Sequence, residues 1–389
     1  MKTLYIISKG MGKQSNQVIR QLEIEDKIPR VSLLEDAISA EVLDERYLTE
    51  KPPRLRRLLY RLLPVSIAQL IEALFILNRY DLVLTHTEKV SLPLALILKW
   101  FRSSKPHIVV LSRITSVDSK KTKQKIWFFK KTAKSVTAFL IWSSVQRRIA
   151  IERFGVPPDK IILLKRGIDQ LFWSPREVET DMICSVGMEA RDYPTLVDAL
   201  RPLKIPCHIA AGASRGDIFK TIERLHEIRD IPDGVTVGPK KPIDLRTLYA
   251  RSRFTVIPLI PTDSDNGLTT ILESMAMGKP VICTKAEGQI DIIQDGITGI
   301  YVPQGDSGAM RDAIQFLWDD PERCEKMGKA ARAFIEKRHN MEQFVAAIKN
   351  EVDRSVGLES THNQSASSTI KSVTPSMHKE TIELESEKY

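Results

Sequence analysis

A chain of 389 residues, 42% hydrophobic and 28% charged, has the composition of a globular protein large enough for two domains with a proper core each. Its four cysteines form no CxxC pair, and of its seven histidines only His208 adjoins a cysteine, Cys207, with no further ligand at metal-binding spacing, which argues against a disulfide scaffold and a cysteine–histidine metal centre. The net charge of +9 is lopsided: residues 51–150 alone hold 20 Lys and Arg against 4 Asp and Glu, which points the first half at an anionic surface or substrate.

The opening run "MKTLYIISKGMG" has neither the apolar length nor the cleavage site of a secretion signal. Strand patterns follow at 3–8, 80–86, 107–113, 137–144 and 160–166, then at 182–187, 207–212, 235–239, 254–260, 281–284 and 299–303. The best membrane-span candidate, 58–77, is broken by Arg61, Pro64, Gln69 and Glu72, so a cytoplasmic protein is expected. Many strands are continuous β-branched runs, as in parallel strands covered on both faces. Their alternation with helical patterns predicts an α/β protein of two consecutive Rossmann-like doubly wound parallel-sheet domains. The boundary falls in the polar, Pro-containing "RGIDQLFWSPREVETD" (166–181). That yields domains at 1–170 and 171–338, a helical segment at 339–355 and a Ser/Thr-rich tail at 356–389 expected to be disordered.

In open parallel sheets ligands sit beyond the carboxyl ends of the strands, which singles out "SKGMGKQSN", "GMEARDYPT", "GASRGD" and "TDSDNG". The first holds Gly10 and Gly12 before Lys13 and Ser15, but a phosphate-binding P-loop needs Gly five residues before Gly12, where Ile7 stands. What remains is a turn that lets backbone approach a ligand at a helix start, or a plain strand-to-helix connection. In "TDSDNGLTTILESMAMGKPVICT" (262–284), Asp265 or Asn266 is placed to cap a helix whose entry Gly267 leaves unobstructed. Amides of the first turn, from Leu268 through Thr269 and Thr270, then form an anion site suited to a diphosphate. Glu273 sits among Ile271, Leu272, Met275 and Ala276. There a carboxylate needs donors such as sugar hydroxyls, unless it lies on the helix's wet edge.

This segment resembles the donor-site signature of the family 4 retaining glycosyltransferases: an acidic residue, seven residues, a Glu, then a small-residue helix and "G-x-P-V". Here it stands as Asp265-x7-Glu273 and "SMAMGKPVI". Three further stretches are similar to family segments, "ERFGVPPDKIILLKRGIDQLFWSP" (152–175), "SVGMEARDYPTLVDAL" (185–200) and "AEGQIDIIQDGITGIYVPQGD" (286–306). The resemblance covers about 150–350; before residue 140 only the strand layout matches. It implies the B-type architecture of two facing Rossmann-like domains, with the helix at 339–355 crossing back to the first. It further implies Glu273 on the ribose hydroxyls, Asp265 beside the transferred sugar, Thr269 and Thr270 on the diphosphate, and Gly288 and Gln289 at the donor. No metal or other cofactor and no enzymic nucleophile is implied; the leaving phosphate itself deprotonates the acceptor on the same face.

The pattern departs from the family at three places. The first acid is Asp rather than Glu and Gly267 falls one position early, so Asp263 is a rival for its role. Met188 replaces an Arg; Arg191, near the family's usual Lys, is the expected diphosphate cation, with Lys240 and Lys241 behind it. Ser112 and Arg113 stand where many members place a sugar-contacting His, for which His86 is either the substitute or a structural histidine.

Between 51 and 134, Lys and Arg are mixed with Leu, Trp and Phe, a composition that lies readily on an anionic membrane surface. The plain alternative is a solvated basic face with its leucines packed inward. The aromatics lack a base-stacking pattern, so no nucleic-acid partner is expected. The expected protein is a cytoplasmic enzyme, peripheral on the inner membrane face, that moves a hexose from a nucleotide-sugar donor to a glycan or lipid acceptor. The alternatives are a B-type-fold epimerase or phosphorylase, or a non-catalytic relative that binds nucleotide sugar or membrane.

Overall fold

The computed structural model describes residues 1–8, 15–86, 88–111, 114, 116, 120–212 and 220–358. Gly10, Gly12, Ser112, Arg113, most of "GASRGD" and the tail beyond Leu358 lie outside the described residues. Among the described residues twelve strands form two six-stranded sheets. The first contains β1 (Thr3–Ile6), β2 (Ala40–Leu43), β3 (Leu82–Thr85), β4 (His107–Val110), β5 (Ala138–Ile141) and β6 (Ile161–Leu163), in the order β2-β1-β3-β4-β5-β6. The second contains β7 (Met182–Val186), β8 (Cys207–Ala210), β9 (Val235–Val237), β10 (Ser252–Ile257), β11 (Val281–Thr284) and β12 (Gly299–Val302), in the order β12-β11-β10-β7-β8-β9. Every pairing is parallel.

Central strands β1, β3, β4 and β5 are buried at every residue, because helices cover both faces. This is the physical source of their continuous apolar runs. One strand, β2, is missing from the sequence expectation. It pairs on one side only, with β1, and its "AEVL" exposes Glu41, so it carries no such run. All four cysteines are free and buried.

The helix Met341–Ser355 lies over the first sheet, with Phe344, Ile348 and Val352 in one core with Tyr5, Leu84, Val110 and Leu140. The chain passes it at Gly167, where an added Cβ would stand 2.4 Å from Phe344 Cβ and 2.9 Å from the Asn340 carbonyl oxygen. Only a residue without a side chain fits so close an approach. Just beyond, the buried Asp169 carboxylate accepts from Arg30 Nη2 at 2.7 Å, and Arg30 also reaches Glu342 at 2.8 Å. The first domain, the crossover and the returning helix are thereby tied at one point.

The helix Arg54–Tyr60 is turned with its apolar side outward. Arg56 Nη1 and Tyr60 Oη each donate at 2.8 Å to the buried Glu72 carboxylate on the helix Val65–Ile76. With those two polar side chains inside, Leu55 and Leu62 are each 81% exposed and Leu58 60%. The leucines therefore do not pack inward, contrary to the plain alternative. Arg56 covers the ring of Phe75, itself exposed, at 4.5 Å, and Lys51, Arg54 and Arg61 border the leucines as exposed cations. Among the described residues no helix is long and apolar enough to cross a membrane.

Candidate active site in the interdomain cleft

Strand order reverses between β7 and β10, so the loops that follow these strands flank the opening where a ligand of such a sheet sits. They are zipped together: Asp192 N donates to Pro258 O at 2.9 Å, Ile260 N to Ala190 O at 3.2 Å, and Arg191 bridges Leu259. The loop after β11 joins them at Gly288, whose amide donates to Thr262 O at 3.1 Å. A Cβ on Gly288 would fall 1.9 Å from the Ser264 carbonyl oxygen, which excludes any other residue there. Next to it Gln289 is 2% exposed, with Nε2 buried and unpartnered among the described residues.

The helix Leu268–Ala276 begins at this opening. Neither Asp265 nor Asn266 caps it with a side chain, contrary to the sequence expectation. The N-cap is Gly267 at φ +89°, a left-handed conformation that glycine adopts without strain. Leu268 N is taken by the Asp265 carbonyl at 3.1 Å, while the amides of Thr269 and Thr270 find no acceptor among the described residues. Arg191 lies buried beside them. Nε donates to Val186 O at 3.0 Å, Nη1 to Glu189 O at 2.9 Å and Nη2 to Thr270 Oγ1 at 3.2 Å. Its fit depends on Gly187 (φ +143°), because a Cβ there would sit 2.3 Å from the guanidinium. Among the described residues no carboxylate pairs with Arg191, so a buried cation and two open amides converge on one place that calls for an anion.

Glu273 lies further along the same helix, half-buried, and takes a hydrogen bond from Tyr249 Oη at 2.9 Å. Desolvation pushes its carboxyl up to about 7, against the opposing effect of the Tyr249 bond. Lys240 and Lys241 are exposed, ahead of the helix Pro242–Arg251.

A second cluster faces this one from the first sheet, beyond the ends of β3, β5 and β6. His86 Nδ1 shares a 3.0 Å hydrogen bond with Tyr5 Oη, and its ring lies 5.9 Å from that of Trp142. Burial and the nearby Arg166 charge push the His86 ring down to about 4, so it is neutral at pH 7. Trp142 Nε1 donates at 2.7 Å, and Gln146 Nε2 at 3.1 Å, to the two carboxylate oxygens of Asp265. The carboxyl ends of the two sheets therefore meet across one cleft, with Asp265 and His86 on opposite walls of it. The rival acid, Asp263, is buried and accepts from the Ser116 amide. Further along, Ser144 N donates to Asp291 at 2.8 Å and Arg148 pairs with Glu287 at 2.5 Å. Among the described residues no group of three His, Cys, Asp or Glu could hold a metal ion.

The profile described as "Glycosyltransferase Family 4" matches residues 30–170, and "Glycosyl transferases group 1" matches 192–334. The chain belongs to the family 4, group 1 glycosyltransferases. Among curated relatives, the D-inositol 3-phosphate glycosyltransferase of Kribbella flavida is 25% identical over 46% of this chain and 47% of its own length. The alpha-D-kanosaminyltransferase of Streptomyces kanamyceticus is 43% identical over 31% of this chain and 30% of its own. The chain thus spans about half or less of the length of the curated relatives it matches. Among solved structures, Anabaena Alr3699/HepE with UDP and glucose has a TM-score of 0.65 at 17% identity, covering 92% of this chain and 99% of that one. The sucrose-phosphate synthase of Thermosynechococcus elongatus scores 0.69 at 17% identity, covering 91% and 98%. At that identity these are likenesses of fold, of the B type.

Several residues of the cleft were not singled out in the sequence. Tyr5 and Trp142 sit inside strand runs and read there as core, while Gln146 and Tyr249 lie on helices. Gly187 carried a weak signal, as a glycine directly after a strand.

Proposed function

We propose that the protein is a retaining glycosyltransferase that binds a nucleoside diphosphate sugar on its second sheet and passes the hexose to a glycan or lipid acceptor in the cleft. The observation that carries this is the buried Arg191, without a carboxylate partner among the described residues, beside the open amides of Thr269 and Thr270 and on the same helix as Glu273. Arg191 and the amides neutralise the diphosphate; the Glu273 carboxylate accepts from the ribose hydroxyls. The bond between the anomeric carbon and phosphate breaks while one forms to the acceptor oxygen, whose proton passes to the departing phosphate on the same face. Asp265, tethered by Trp142 and Gln146, stabilises the positive charge that develops on the sugar. The Anabaena neighbour of the same fold was solved with UDP and glucose, which supports a nucleotide ligand. The transfer is read as metal-independent, since protein groups alone answer the diphosphate charge.

The test is thermal melting of wild type and Glu273→Ala against UDP, GDP, ADP and their sugar conjugates. A ligand at 100 times its Kd stabilises by about 2.7 kcal/mol. One nucleotide family should raise the wild-type melting temperature, with or without EDTA, and fail on the variant. No shift in wild type at millimolar ligand would overturn the reading.

A membrane-facing role for the first domain has its own support. Leu55, Leu58 and Leu62 project into solvent next to Lys51, Arg54 and Arg61, the arrangement of a helix lying on an anionic lipid surface. An enzyme so placed would meet lipid-linked acceptors on the cytoplasmic face.

A further inference from the structure

Arg166, where the chain leaves β6 for the crossover, is a charged group of the cleft to which the transfer chemistry above gives no task. Its guanidinium lies 5.1 Å from the ring centroids of both Trp142 and Phe344. Both rings are fixed in turn, Trp142 by its bond to Asp265 and Phe344 by the core of the returning helix. The backbone cannot yield either: His339 Nδ1 donates to the Arg166 carbonyl at 2.8 Å, and Gly167 is wedged against Phe344. A guanidinium stacked on aromatic faces is held in position while its donor edge stays open.

That edge is unused. Among the described residues Arg166 forms no hydrogen bond through its side chain and no ion pair, and Asp265 is not within ion-pair distance of it. Elsewhere in the molecule comparable guanidinia are answered: Arg30 by Asp169, Arg246 by Asp26 and Arg56 by Glu72. Arginine cannot shed its proton, so a half-buried cleft guanidinium with open donors calls for an external acceptor.

We propose that Arg166 binds an oxyanion, phosphate or carboxylate, carried by the acceptor. The inference rests on the cleft being the transfer site. It assigns the anion to the acceptor because Arg166 belongs to the first sheet's wall, with Tyr5 and His86, whereas the donor diphosphate is met by Arg191 and the helix amides of the second. A planar guanidinium prefers the two-oxygen edge of such groups over a single hydroxyl.

The test follows the arginine Nε–Hε resonances of the full chain labelled with 15N-arginine, with Arg166 and Arg191 assigned through Arg166→Lys and Arg191→Lys. Inorganic phosphate and acetate are titrated, each with and without a saturating mixture of UDP, GDP and ADP. The Arg166 signal should shift saturably with the anions even when nucleotide is present, and the stronger of the two distinguishes a phosphate-bearing from a carboxylate-bearing acceptor. Arg166→Gln should lose the rise in melting temperature that the anion adds over nucleotide. An Arg166 signal that drifts without saturating, or that moves with nucleotide alone, would overturn the proposal. An Arg191 signal indifferent to nucleotide would instead remove the donor-site reading, while the Arg166 titration still decides this one.

Discussion

The indole nitrogen of Trp142 donates to the Asp265 carboxylate at 2.7 Å, so a residue of the first sheet holds the acid contributed by the second. Gln146 reaches the other oxygen at 3.1 Å. Burial pushes the Asp265 carboxyl above its usual range, and the Trp142 bond, the Arg166 charge and the Gln146 bond pull against that rise. A tethered, partly desolvated carboxylate is a fixed charge suited to an electropositive sugar.

Asp265→Asn should therefore lower kcat by about 100-fold or more while leaving nucleotide affinity unchanged. Asp263→Asn, which disturbs the contact with the Ser116 amide, should act through stability instead. Steady-state kinetics beside nucleotide melting shifts for both variants separate them. Equal kcat losses would return Asp263 to contention.

Gly187→Ala would place a Cβ 2.3 Å from the Arg191 guanidinium, at a φ of +143° that L side chains rarely adopt. The variant should imitate Arg191→Met, each weakening nucleoside diphosphate binding by about 30-fold or more, the scale for loss of a buried charge contact. Calorimetric titration checks this. Normal affinity in both variants would mean that Arg191 is only a structural strut between β7 and the helix at Thr270.

Glu273 offers a pH signature. Its carboxyl titrates at about 7 in the folded protein, against roughly 4.3 when unfolded. Between those values the folded state binds the extra proton, so stability falls as pH rises from about 4.3 to 7. Glu273→Gln removes that dependence and should melt higher than wild type at pH 8, with the gap closing at pH 4.5. Ribose hydroxyls that donate to the carboxylate favour its ionised form, so nucleotide binding should strengthen with pH up to about 7 and release a proton. Calorimetry in buffers of different ionisation enthalpy reads that proton directly.

Leu55→Ser and Leu62→Ser alter side chains that are 81% exposed, so each should change folding stability by no more than about 0.5 kcal/mol. Co-sedimentation with phosphatidylglycerol vesicles should drop sharply in the double variant, and wild-type association should weaken with salt. Unchanged sedimentation would leave the outward leucines to a protein partner.

Much of this was open to a reader of the residues alone. The strand runs and their alternation with helices determined two parallel-sheet domains, because strands covered on both faces leave an unbroken apolar record. Only β2 escaped, since a short edge strand leaves none. Asp265, Gly267 and Glu273 stood out because they break the local pattern, acids and a glycine where an apolar helix would do without them, whereas Gly288 was marked only by the family resemblance. Tertiary structure decided the rest. That Asp265 is gripped by Trp142 rather than capping its own helix depends on residues 123 positions apart. The outward turn of Leu55 and Leu62 follows from a buried Glu72 drawing Arg56 and Tyr60 inward. Local spacing records which face of an element differs from the other, but which face is buried depends on what the neighbouring elements offer to satisfy it.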